Sequence, residues 1–531
     1  MTALAQRAAA PRPRVGTWRT VLACEWKLVR TDAGVWLATL LMAACVGYAL
    51  FSGQQRLTEQ AESVAAAQQD ESQRRDALLR QAIRIERGEA AAPAESFRDP
   101  GNPLSVGRGS GASVVQLAPA PLAATAVGVS DLYPPTFRVA AGSRDRFLFV
   151  DEIANPTLLA SGSFDLAFVS VVLLPLVLLA LAYNVLSGER EQGTWALTLA
   201  SSAPPLPVLA AKLLVRSAGV LGVFVGGTVL VLALQGAPLA SVDAALALAA
   251  WSGLVLLYAA FWLALALWVN SWGRDSAFNA VALVLAWVML VLVTPAGIQA
   301  VVEAWHPAPA RSEMVLAVRQ AAVDADRDLA AERARFRSEH GLAQPADAAA
   351  PALSAVSVVS AAPTVSAVPA VPAVAAVPAA MVAATVATAT RDRRTLVLLL
   401  AADRRADDVL ARHDAMVRAN RSLVERASWL APPVLLNDAL AALAGNGPDR
   451  WDAHLANVSA FHRRWQTFFV ERAERSARLA SAEHALFPRF DAARLDTWVG
   501  GVAWRVAGAG GSLLVLAGVL TALAGRRLQR V

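Results

Sequence analysis

Residues 166–194 read LAFVSVVLLPLVLLALAYNVLSGEREQGT, and this stretch decides the fold. Its first 21 residues, 166–186, carry no charge. A helix needs about 20 apolar residues to cross the hydrocarbon core of a bilayer. Residues 166–186 therefore read as a membrane span, and the charged turn behind them marks where the chain leaves the lipid. Five more uncharged segments qualify: 35–51, 217–234, 244–269, 276–302 and 506–525. The expected fold class is an all-α polytopic membrane protein, with six transmembrane helices and a large helical extracytoplasmic domain built from two inserts.

Composition agrees. Of 531 residues, 56% are hydrophobic and 17% charged, against about 25% charged in soluble domains. That balance excludes an ordinary soluble globule and a disordered chain. Nearly all basic residues are arginine; the exceptions are Lys27 and Lys212. Cys24 falls before the first span and Cys45 inside it, so no disulfide framework exists.

Basic residues near span ends set orientation. Arg7, Arg12, Arg14, Arg19, Lys27 and Arg30 precede the first span, and Arg526, Arg527 and Arg530 follow the last. Arg190, Lys212 and Arg216 lie between spans two and three, and Arg274 between four and five. With six spans all of these share one side, so both termini are expected to be cytoplasmic, in a chain expected to lie in a bacterial inner membrane. Residues 1–34 form the cytoplasmic N-terminus, 187–216 a cytoplasmic loop and 526–531 the tail. No small-residue cleavage pattern follows Phe51, so no cleavable signal peptide is expected. Trp18, Val21, Leu22, Trp26 and Val29 recur at helical spacing among charges, as in an amphipathic helix lying in the membrane interface. A basic topology signal without a docking role fits them equally.

The inserts are 52–165 and 303–505. In the first, 57–87 reads as a charged helix, followed by a Gly- and Pro-rich stretch. In the second, helical patterns occur at 311–340, 403–428 and 434–444. Six prolines from Pro345 to Pro378 break the Ala/Val run at 345–390, which reads as a low-complexity linker. Pro448 starts the last helix, expected to run to about residue 486. Its stripe of Trp451, Leu455, Val458, Phe461, Trp465 and Phe468 fits either core packing or an exposed apolar groove. All six histidines lie in this insert, none at metal-ligand spacing. Asp324, Asp326 and Asp328 read as a solvated face.

The spans hold almost no ionisable residue, unlike ion-coupled transporters; Arg505 at the edge of the last span is expected to snorkel. Neither lysine follows a phosphate-gripping glycine loop, so no ATPase activity is expected in this chain. Attention therefore falls on 187–200. Gly193 suits a helix end at positive φ, Thr194 a cap for the next helix, and 195–200 a short helix stopped by Pro204 and Pro205. Such an element suits docking to a cytoplasmic partner, and an ordinary tight connection fits as well.

Glu189-Arg190-Glu191-x-Gly193-Thr194, followed by prolines and Lys212, resembles the coupling-helix signature of type-2 ATP-binding-cassette (ABC) permeases. Glu25-Trp26-Lys27-x-x-Arg30 resembles that family's leading helix. Gly128-x-Ser130-Asp131-Leu132-Tyr133-Pro134, Asn155-Pro156, Gly162-Ser163-Phe164-Asp165 and His306-Pro307-x-Pro309-x-Arg311-Ser312 resemble a subgroup with large outer inserts, related to permeases for copper-enzyme maturation. Trp195 stands where the family commonly has leucine, and Ala211 where it has glycine. The resemblance implies an exporter-like permease subunit whose Glu189, Arg190, Glu191, Gly193 and Thr194 couple to a cytoplasmic ABC ATPase subunit. It also implies a second permease subunit, identical or paralogous. Cofactors would be none in this chain, with ATP and Mg held by the partner. Membrane lipid and an extracytoplasmic protein are the other expected partners, and nucleic acid is not one. The alternative is a membrane-anchored scaffold or mechanotransmission protein with a partner-binding outer domain. A lipid-modifying enzyme would need a converging His, Asp, Glu or Ser site, which the sequence does not offer.

Overall fold

The computed structural model describes residues 15–93, 98–134, 136–142, 164–196, 204–236, 241–307, 311–339, 379–428, 431–475, 478–491 and 498–529. Helix α1 (Val15–Thr31) is separated from α2 (Ala33–Glu86) by Asp32, whose carboxylate accepts from the Gly34 N–H at 2.8 Å. That N-cap ends one helix and starts the next. The second span is α3, formed by Leu166–Phe168, the π-turn Val169–Leu173 and Leu174–Ala182. A short helix α4 (Ser187–Glu191) follows, then the spans α5 (Pro205–Leu234), α6 (Val242–Asn270) and α7 (Ser276–Trp305). All six expected spans are long apolar helices, the sixth at the end of the chain.

Prolines explain the π-turns. Pro175 has no N–H to give the Val171 carbonyl one turn back, so that oxygen accepts from the Tyr258 hydroxyl at 3.0 Å. The neighbouring Val172 carbonyl accepts from the Trp287 indole at 3.2 Å. In lipid each freed carbonyl needs such a partner. α7 repeats the device: Met289–Val293 is a π-turn just before Pro295, and the Thr294 hydroxyl bonds the Met289 carbonyl at 2.7 Å.

Helix α6 is the hub. Trp251, Tyr258 and Trp262 are fully buried, and Trp251 stacks on Phe224 of α5. Its most apolar stretch is 61% buried, against 11% in α7, which leaves most of α7 exposed.

On the insert face, α2 does not stop at the membrane. The expected span 35–51 and the expected charged helix 57–87 are one helix of 54 residues, since nothing between them breaks helical hydrogen bonding. The first insert also holds one short pair of strands, too little to change the all-α class. Strands β1 (Ser113–Gln116) and β2 (Thr136–Val139) pair antiparallel, Ser113 opposite Val139.

In the second insert, α8 (Arg311–Glu339) lies beside α9 (Ala379–Ala427), with Met314, Val318, Ala406 and Leu410 between them. Residues 379–390 are thus helical, and Arg391–Arg394 do not interrupt α9; the rest of the expected linker lies outside the described residues. Asp328 pairs with Arg405 of α9 instead of facing only solvent. The short α10 (Pro432–Leu443) lays Leu436, Ala439, Leu440 and Leu443 into the core of the spans. α11 (Pro448–Glu474) ends twelve residues before the expected stop, and Ser481–Leu486 is a separate 3-10 turn. The α11 stripe is core: Trp451, Val458, Phe461 and Trp465 are buried with Phe469 against Val115, Phe137 and Val139. Buried His462 meets the Gly142 carbonyl, and buried His454 lies among Phe137, Trp451 and Phe490. The last span is α12 (Trp498–Leu528).

The inserts meet at residues that the sequence motif singled out. Gly128 has φ +56, and a Cβ there would lie 2.3 Å from the Asn446 carbonyl oxygen. The same oxygen accepts from Val129 N–H at 2.9 Å. Asn446 returns a bond to the Ala126 carbonyl, and Asp165 accepts from Val127 N–H and caps α3 through Phe168 N–H. Asp131 pairs with Arg56 of α2 at 3.6 Å. Asn155, Pro156, Gly162, Ser163 and Pro309 lie outside the described residues.

Candidate functional site on the basic face

Opposite the inserts, Arg190, Lys212, Arg216, Arg274, Arg526 and Arg527 gather near the ends of α3, α5, α6, α7 and α12. Here α3 unwinds at Tyr183–Leu186, and its loose polar groups are satisfied by two asparagines. Asn270 of α6 accepts from Leu186 N–H at 3.4 Å and donates to the Ala182 carbonyl at 3.1 Å. Asn279 of α7 donates to the Tyr183 carbonyl and to Asn270. Both asparagines are buried. Sequence reasoning looked for charges in the spans and passed over these uncharged groups, although a polar side chain in an apolar run has to find partners.

Helix α4 then carries the candidate residues. It closes with a Schellman turn: Gly193, at φ +75, donates to the Arg190 carbonyl, and Thr194 N–H to the Glu189 carbonyl at 2.9 Å. The Thr194 hydroxyl bonds that same carbonyl. Thr194 therefore finishes α4, and the cap expected of it for the next helix involves residues beyond Ala196 that lie outside the described residues. Trp195 and Ala196 turn helical, and the remainder of the expected helix, 197–200, lies outside the described residues. Trp195 is buried, not presented at the surface.

The charged residues divide by direction. Glu189 points inward and pairs with Lys212 of α5. The same ammonium pairs with Glu25 of α1 at 3.1 Å. These side chains are 7–17% exposed, and the second oxygens of Glu25 and Glu189 are buried without a hydrogen bond. One lysine thus serves two desolvated carboxylates, a cluster one negative charge in excess that tolerates loss of its cation poorly. Arg216 adds a bond to Asn184 at 3.2 Å. Arg190 lies over Gly273, where a Cβ would stand 2.6 Å from its guanidinium. Glu191 accepts from Ser276 N–H at 2.8 Å, at the positive end of α7. The Ser187 and Ser276 hydroxyls are 2.8 Å apart. Glu191, Gln192, Gly193 and Thr194 form the exposed rim.

A short helix is in this way fastened to α5 and α7, and through Lys212 to α1, with a rim turned outward. A family model described as "ABC-2 family transporter protein" matches residues 19–387. The chain belongs to the ABC-2 transporter family. It is a multi-pass membrane permease subunit of an ABC transporter, and membership of the ABC-2 family implies a separate ATP-binding subunit. A second model, a domain of unknown function (DUF3526), matches residues 393–493, which in this permease hold most of α9, all of α10 and α11, and the Ser481–Leu486 turn. No curated protein and no solved structure matches the chain.

Proposed function

We propose that the basic face is cytoplasmic and that the loop 187–216 receives a separate ABC ATPase. Glu191, Gly193 and Thr194 contribute to the docking rim, while Glu189 and Arg190 join that rim to the spans. ATP and Mg belong to the ATPase, and two permease subunits, identical or paralogous, complete the assembly. ATP-driven motion at the rim then moves the spans and, through them, the inserts, giving exporter-like transport or mechanical work beyond the membrane. The Glu25–Lys212–Glu189 cluster carries this reading: α4 cannot shift without pulling α1 and α5. The unbroken α2 favours the mechanical variant, because the helix that sets Met42, Val46, Ala49 and Leu50 into the core of the spans is also the one that holds the first insert.

The test is chemical. Thr194→Cys in the complete complex is expected to crosslink to the ATPase, and Glu191→Arg to lower permease-stimulated ATP hydrolysis severalfold with membrane insertion unchanged. Full stimulation in Glu191→Arg together with no crosslink from position 194 would rule out docking here.

A further inference from the structure

The turn between α6 and α7 and the end of α12 bring aromatic rings and guanidiniums together at the edge of the spans. Trp272 meets Phe278 with ring centroids 6.1 Å apart, and Trp268 lies edge-on to Trp272 at 5.0 Å. The Arg527 guanidinium stands 5.7 Å from the centre of the Trp272 ring, and that of Arg274 stands 5.8 Å from the centre of Phe278. Two cations thus flank one aromatic pair. A guanidinium held over a ring keeps N–H groups free for an oxygen anion.

Charge is out of balance here. Arg190, over Gly273, and Arg526, next to Arg527, bring the patch to four guanidiniums. Its two carboxylates are engaged at the N-terminus of α7: Asp275 accepts from Phe278 N–H at 3.1 Å and Glu191 from Ser276 N–H. Among the described residues neither Arg274 nor Arg527 has a carboxylate partner. Both are exposed. Apolar faces lead from the patch into the bilayer. Phe278, Val281 and Leu285 are exposed on α7, and Val519 and Leu523 on α12 share a face with Arg526. From Phe278 to Leu285 the α7 face runs about 10 Å at 1.5 Å per residue. A soluble anion would use the cations alone; a ligand with an anionic head and an apolar tail uses both.

We propose that this patch is a binding site for an acidic phospholipid. Arg274 and Arg527 donate to the oxygens of its headgroup, and its acyl chains lie along the exposed faces of α7 and α12. The rings of Trp272 and Phe278 hold the two guanidiniums in place, so the site reads shape as well as charge. A zwitterionic lipid brings its own cation and gains less from the unbalanced guanidiniums. This inference does not depend on where the ATPase docks.

The probe is phosphatidylglycerol, supplied in graded amounts to the full-length protein in phosphatidylcholine nanodiscs. Lipid retained by the protein is counted by native mass spectrometry. Saturable retention of phosphatidylglycerol over phosphatidylcholine is expected. Arg274→Gln and Arg527→Gln are each expected to weaken it about fivefold. Arg527→Lys keeps the charge but loses the flat face, and is expected to weaken it about two- to fivefold. Lys27→Gln removes a cation from α1 instead and is expected to leave retention unchanged. No preference for phosphatidylglycerol would leave the patch to the ATPase and overturn the proposal. Equal losses in Lys27→Gln and Arg527→Gln, or full retention in Arg527→Lys, would reduce it to diffuse attraction and overturn it too. Displacement of the lipid by millimolar glycerol 3-phosphate would do the same, by showing a site for soluble anions.

Discussion

Arg505, at the head of α12, holds Asp449 of α11 through two nitrogens of its guanidinium, one of them at 2.8 Å. It also reaches Glu425 of α9 at 3.0 Å. Arg421 bridges the same acids and adds Asp452. The sequence led us to expect Arg505 to snorkel; it is instead 13% exposed and bolts the last span to the second insert. Arg505→Met is expected to destabilise that joint by about 1–3 kcal/mol, the lower part of the range because Asp449 is half in water. Thermal melting and proteolysis of the inserts are the readouts, and an unchanged melt would show that Arg421 suffices.

Lys212 makes a sharper case. Lys212→Met strands the Glu25 and Glu189 carboxylates and should cost about 3–5 kcal/mol, enough to disturb α1 and α4. Adding Glu25→Gln and Glu189→Gln should restore most of the melting temperature, because no charge then remains buried. If the triple variant melts no higher than the single one, the damage lies in packing and not in stranded charge.

Buried His454 should make the second insert acid-sensitive. Burial, then Arg450, pushes its pKa down to about 4. The unfolded chain takes up this proton near the ordinary value of about 6.5, the folded one only near 4. Its contribution is therefore complete above the unfolded pKa and drains away as pH falls from about 6.5 to 4, by about 3 kcal/mol in all. His454→Leu should flatten that slope in melting curves collected across the same window.

Asp438 of α10 should act with the opposite sign. Burial pushes its carboxyl up to about 6, against the pull of Arg505 and Arg421. A raised carboxyl pKa gives stability that is present at low pH and lost as pH rises through about 6. Asp438→Asn is expected to gain about 1–3 kcal/mol above that pH, progressively less as pH falls toward about 4, and little below that. A gain of equal size at pH 4 would point to a cause other than ionisation.

Much of the membrane part was legible, because an uncharged run of about 20 residues has few other fates. Span ends were less so. Pro205 begins α5 well before residue 217, since Lys212 and Arg216 find partners at the basic face and need not end a helix. The α1–α4–α5 cluster was half visible: Glu25, Glu189 and Lys212 all fell in motifs, but only folding reveals that one cation serves two acids. The hairpin β1–β2 escaped notice because strands of four residues among glycines and prolines carry too little alternation to read. The stop of α11 at Glu474 was hidden for the opposite reason: the residues beyond it remain compatible with helix, and tertiary contacts made by Leu479 and Phe487 turn the chain.

The unbroken course of α2 sets a gear ratio for the molecule. About 44 residues separate its midpoint in the bilayer, near Met42, from its tip at Glu86, a radius of about 66 Å at 1.5 Å per residue. A tilt of about 10° at the spans would sweep that tip through about 11 Å by the same geometry. Small strokes inside the lipid would thus emerge as large excursions wherever Glu86 holds Ser481.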